Sequence, residues 1–96
     1  MSEVEDSGRR FAVRVEGKVA RLWYRLDGDR LVLEHTIVPE ALSGRGLAGR
    51  LVQSALDRAR RDGLSIVPEC EFASAWLRRH PEAASGVRLE WPGDDS

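Results

Sequence analysis

Three glycines within six residues, Gly44, Gly46 and Gly49, stand where the hydrophobic period of this chain changes, and they limit what it can fold into. Before them apolar and polar residues alternate, as in a half-buried strand. After them apolar residues recur at the spacing of one helix face. Ser43-Gly44-Arg45-Gly46-Leu47-Ala48-Gly49 therefore reads as an entrance from strand to helix. A helix starts with unpaired backbone N–H groups and the positive end of its dipole, and a missing Cβ lets a ligand come close to them. The expectation is an anion cradle for a phosphate-bearing cofactor.

Phe11, Val13 and Val15 alternate with polar or small neighbours, and Ala20, Leu22, Tyr24 and Leu26 do the same. Glu16-Gly17 and Asp27-Gly28 fall at the joins, so residues 11–38 should form an antiparallel meander. The third strand is expected to carry Leu31, Leu33, His35 and Ile37 on one face. Beyond the glycines, Leu47, Leu51, Val52, Ala55, Leu56 and Ala59 make an apolar stripe, and Gly63 is a natural stop. Leu64 to Pro68 fits a buried strand reached by a helical crossover, hence parallel to the strand before the helix. A second helix is expected from Phe72 to Arg79, ending at His80-Pro81, and Val87 to Trp91 reads as a short last strand.

Ninety-six residues make one domain. We expect it to span residues 9–91, with a flexible acidic N-terminus at 1–8 and an acidic tail at 92–96. Fifteen basic against sixteen acidic side chains give no electrostatic argument for nucleic acid or an anionic membrane as partner. The chain has no apolar run near transmembrane length and no signal-sequence pattern, so a soluble, cytoplasmic monomer is expected. The single Cys70 agrees, excluding an internal disulfide and a multi-cysteine metal site. No metal is expected.

Read from Gly44, the turn spells the dinucleotide fingerprint G-x-G-x-x-G, with Glu69 about twenty residues beyond Gly49 in the place of the ribose-binding acid. Its setting is wrong for that motif, since Pro39-Glu40-Ala41-Leu42 separates strand from glycines and three antiparallel strands come first. Read one residue earlier, it resembles the acyl-CoA pyrophosphate loop, with Ser43 in the first place, Gly46 in the fourth and Ala48 in the sixth. Ser43 departs from the usual Arg or Gln there, and Arg45 is the residue that would compensate in charge.

Four motifs in order, His35-Thr36-Ile37-Val38-Pro39, Gly44-Arg45-Gly46-Leu47-Ala48, Val67-Pro68-Glu69-Cys70-Glu71-Phe72 and Arg78-Arg79-His80-Pro81-Glu82, resemble the small stand-alone branch of the GNAT superfamily of acetyl-CoA-dependent N-acetyltransferases. The resemblance covers about Phe11 to Glu82. It implies a mixed α/β fold whose mostly antiparallel, twisted sheet splays between its third and fourth strands under two helices. It implies acetyl-CoA as co-substrate and an amine acceptor, either a small molecule or a protein lysine. By position, Ile37 and Val38 would offer backbone hydrogen bonds to the pantetheine arm. Ser43, Gly44, Arg45, Gly46, Leu47, Ala48 and Gly49 would hold the pyrophosphate, and Arg78 and Arg79 would meet a phosphate at the adenosine end.

His35 and Cys70 end neighbouring strands, so the sequence places them near each other across the splayed gap. The resemblance implies that they flank the thioester. A histidine exchanges protons near neutrality, and a cysteine either accepts the acetyl group or protonates the departing thiolate. The competing reading makes His35 a hydrogen-bonded strand residue and Cys70 a small buried hydrophobe. Trp23, Trp76 and Trp91 read as core or rim aromatics, and His80 as a residue facing its helix dipole. The helices that wall the acceptor site in larger relatives are replaced here by Glu16-Gly17. The acceptor site should therefore be open, and a non-catalytic acyl-CoA-binding or interaction module is the rival function.

Overall fold

The computed structural model describes residues 4–93. Five strands follow one another across a single sheet: β1 (Glu5–Asp6), β2 (Arg10–Val15), β3 (Lys18–Asp27), β4 (Arg30–Ile37) and β5 (Ser65–Pro68). The first four are antiparallel, and β5 joins β4 in parallel after the crossover helix α1 (Leu47–Asp62). The second helix, α2 (Glu71–Arg79), follows β5 directly. This is the mixed α/β architecture that the periodicities predict.

Both helices lie on one face of the sheet. Leu22, Tyr24, Leu31 and Leu33 from the strands pack with Leu51, Val52, Leu56 and Leu77 from the helices in one core. Gly49 of α1 lies so close to α2 that a Cβ there would stand 2.6 Å from Trp76 Nε1. Among the described residues the opposite face of the sheet carries no helix.

Two details differ from the sequence reading. The sheet starts inside the segment read as a frayed terminus, because Glu5 and Asp6 pair with Ala12 and Phe11. Residues 1–3 and 94–96 lie outside the described residues. The expected last strand is reduced to one parallel bridge between Ile66 and Leu89, in which the Ile66 amide donates to the Arg88 carbonyl and the Glu90 amide to the Ile66 carbonyl.

A bulge in β4 has the largest consequence for the site. Trp23 faces His35 across the ladder, yet the next residue, Tyr24, faces Leu33, so Glu34 has no partner in β3. One extra residue reverses the facing of everything beyond it. Leu31 and Leu33 point into the core, but Thr36 takes the core side after the bulge, opposite Leu22, and His35 and Ile37 turn to the open face.

Candidate active site

Strand β5 accompanies β4 only as far as Leu33, which pairs with Pro68. The amides of Glu69 and Cys70 then both donate to the Leu33 carbonyl, each at 2.9 Å, and the chain turns away into α2. Residues Glu34 to Ile37 run on without a neighbour on that side. The expected splay is thus present, and it begins at Leu33.

Cys70 occupies the N-cap position of α2 and is 6 % exposed. Its Sγ lies 3.0 Å from Thr36 Oγ1, within hydrogen-bonding distance. His35 does not share this side of the sheet. The bulge places it on the open face beside Trp23, with ring centroids 6.0 Å apart. The sequence reading put His35 on the Leu31–Leu33 face and missed Thr36. Strict alternation was assumed, and one unpaired residue broke it.

The glycine turn has the expected form. Gly46 is the N-cap of α1 in the left-handed region, at φ 73°, with no side-chain cap and no acidic residue in the first turn. The first helical bond is Arg50 N–H to the Gly46 carbonyl. Among the described residues no backbone N–H from Gly44 to Gly49 donates to another protein group. A row of such donors at a positive helix end favours an anion.

These amides open onto a cavity of about 440 Å³ between the start of α1 and one side of α2. Val38, Ser43, Gly44 and Gly46 to Gly49 line it from the loop, and Phe72, Trp76, Arg79 and His80 from α2. The Trp76 and His80 rings lie 4.5 Å apart, tilted by 38°. Their spacing with Phe72, four residues apart each time, puts all three on one helix face. That spacing was visible in the sequence, where Trp76 read as a core or rim aromatic and His80 as a dipole partner instead.

Several expected contacts go elsewhere. Arg45 does not line the cavity and pairs with Glu16 in the β2–β3 turn at 3.3 Å. Ser43 Oγ donates to the Glu40 carbonyl at 2.9 Å. Arg78 lies over the Trp91 ring at 4.3 Å, outside the cavity, so only Arg79 of the pair lines it. Ile37 is half exposed on the open face.

Two arginines of α1, Arg58 and Arg60, are held by the fold. Arg58 meets Asp6 at 2.7 Å and Asp62 at 3.0 Å, and Arg60 donates to the Ser85 and Ala83 carbonyls. Hydrogen bonding to Asp62, against the cost of burial, and the bond to Asp6 hold the Arg58 pKa above the ordinary range. Among the described residues no group of His, Cys, Asp and Glu could hold a metal ion, and no helix is long and apolar enough to cross a membrane.

A family model described as GCN5-related N-acetyl-transferase matches residues 10–86. The chain belongs to the GCN5-related N-acetyltransferase family. Curated relatives include Protein NATD1 of Mus musculus and of Gallus gallus, each 37 % identical over 76 residues, covering 76 % of this chain and 69 % of the relative. NATD1 of Danio rerio is 32 % identical over 82 residues, covering 82 % and 74 %. The solution structure of a GCN5-like protein from Staphylococcus aureus superposes with a TM-score of 0.71 at 24 % identity, covering 98 % of this chain and 96 % of that one. That likeness establishes the GNAT fold, and family membership supports acyltransferase chemistry in general.

Proposed function

We propose that the protein transfers the acetyl group of acetyl-CoA to an amine. The observation that carries this reading is the parting of β4 from β5 beside a cavity whose wall is a row of undonated amides. The arrangement fits the co-substrate. A pyrophosphate suits the amides of Gly44 to Gly49, Arg79 adds positive charge at the same cavity, and the Trp76 and His80 rings offer aromatic surface. The thinner pantetheine arm suits the gap after Leu33, where Ile37 and Val38 line β4 as it continues. Arg45 and Arg78, engaged elsewhere, take only an indirect part.

Acetyl-CoA supplies an activated thioester carbonyl. The amine nitrogen forms a bond to that carbon, the carbon–sulfur bond breaks, the nitrogen gives up a proton and the departing sulfur takes one. Two proton carriers are thus needed on two sides of one carbon. His35 on the open face receives the amine proton, and the Cys70 thiol on the helix side supplies the sulfur's proton, held in place by Thr36. Both groups return to their starting states by exchange with solvent.

The test is release of free CoA on mixing acetyl-CoA with a panel of amines and lysine peptides, with thermal shift as the binding control. CoA should raise the melting temperature by mass action, and NAD or NADP should not. Stabilisation by NAD alone would restore the dinucleotide reading. Stabilisation by CoA without transfer to any amine would favour the non-catalytic module.

A further inference from the structure

The open face of the sheet has a charge pattern of its own, and, resting on the acetyltransferase reading, we infer that it selects an acceptor lysine flanked by acidic residues. Arg10 and Arg14 of β2 and Arg21 of β3 share this face, by the alternation that buries Phe11, Val13 and Leu22 on the other. Among the described residues none of the three has a carboxylate partner within ion-pair distance, unlike Arg58, Arg60 and Arg61 on α1. Glu5, which pairs with Ala12 on the same face, makes no ion pair with them. Like charges gathered on one face are unfavourable unless a partner of opposite charge covers them.

Two further carboxylates lie at the other end of the face. Glu34, at the bulge, and Glu69, at the mouth of the gap, converge on Arg25 at 2.7 and 3.6 Å. A protonated amine approaching the gap therefore meets acidic groups, while residues beside it meet arginines one and two strands away. Arg21 lies directly across the ladder from Ile37, and neighbouring strands are about 4.8 Å apart. Carboxylates one to three residues from the acceptor lysine would fall over Arg21, Arg10 and Arg14. The Trp23 indole N–H adds a second demand. It is the buried side-chain polar atom without a partner among the described residues, and Arg10 lies 4.9 Å above its ring. A carboxylate that pairs with Arg10 also supplies an acceptor beside that donor. Nucleic acid fits the arginines but carries no aliphatic amine for the chemistry.

Short fluorescent peptides with one central lysine and glutamate, alanine or arginine flanks test this on the intact protein by anisotropy. The glutamate peptide should bind at least about tenfold more tightly than the alanine one at low salt, with the difference shrinking as salt is raised past a Debye length of about 10 Å. The double substitution Arg14→Glu with Arg21→Glu, confirmed folded by its thermal transition, should lose that preference. Equal binding of the three peptides, an acidic preference kept by the double variant, or tighter binding of a single-stranded oligonucleotide would each overturn the inference. Concentration-dependent self-association that blocks the peptide would overturn it too, in favour of a second copy on this face. Mass-spectrometric scoring of the same peptides separates the two readings. An intact acidic preference with no acetylated lysine counts against the acetyltransferase, not against the surface.

Discussion

In the proposed reaction Cys70 and Thr36 act as a pair. A thiol 3.0 Å from a hydroxyl has one orientation selected from several, and a hydrogen bond of this kind contributes about 1 kcal/mol net. Thr36→Val keeps the shape and removes the hydroxyl. It should lower kcat by about fivefold to tenfold while leaving KM for acetyl-CoA close to its original value, because the cavity is built by other residues. Cys70→Ala should lose nearly all transfer yet still bind CoA. His35→Ala should lose roughly 100- to 10,000-fold if it is the general base. Stopped-assay rates and melting curves on the same samples separate this from a packing role. Lower stability with unchanged turnover per folded molecule would refute the catalytic assignment of all three.

The start of α1 combines two demands that a side chain would break in different ways. At Gly46 a Cβ meets no neighbour, but the positive φ is costly for a branched residue, by about 1–3 kcal/mol. Gly46→Val should therefore reorient the amides and weaken CoA binding more than tenfold, or about 1.4 kcal/mol, measured by calorimetry. At Gly49 the backbone is ordinary and the space is not. Alanine would gain about 1 kcal/mol of helix propensity but must displace the Trp76 indole, and overpacking of this kind costs about 1–3 kcal/mol. Gly49→Ala should lower both the melting temperature and CoA affinity, and a raised melting temperature would show that the helices can part freely. The same stretch shows what the sequence can reveal. The meander, the stripe of α1 and the strand after it were legible because many residues repeat each period. The bulge was not, because Glu34 differs in no residue-type signal from a paired strand residue, and one such residue moved His35 away from Thr36 and Cys70. Pairing of Glu5 and Asp6 was hidden by its shortness. The aromatic side of α2 was written in its spacing but carried no polar mark of a binding site.

At the scale of the whole molecule, one polar cluster ties the first strand to the long helix. Asp6 accepts from the Tyr24 hydroxyl, the Gly8 amide and Arg58. Burial alone would raise its pKa, but these bonds outweigh that and hold it below the ordinary value of 3.8. A depressed carboxyl contributes stability above its unfolded pKa and loses it as pH falls through its folded one. Asp6→Asn should cost about 1–2 kcal/mol near neutrality, and the gap to the original protein should close progressively below about pH 4. A gap independent of pH in thermal melts would remove Asp6 from the cluster's role. The one-sided layering has a kinetic meaning as well. A sheet with helices on a single side is a partition one residue thick, and in the proposed reaction the two reactants would reach its slit from opposite directions. Neither blocks the other's door, so both can wait in place together. Initial-rate plots against the two concentrations should intersect, as for a ternary complex. Parallel lines would mean instead that the acetyl group stops over on the protein before the acceptor arrives.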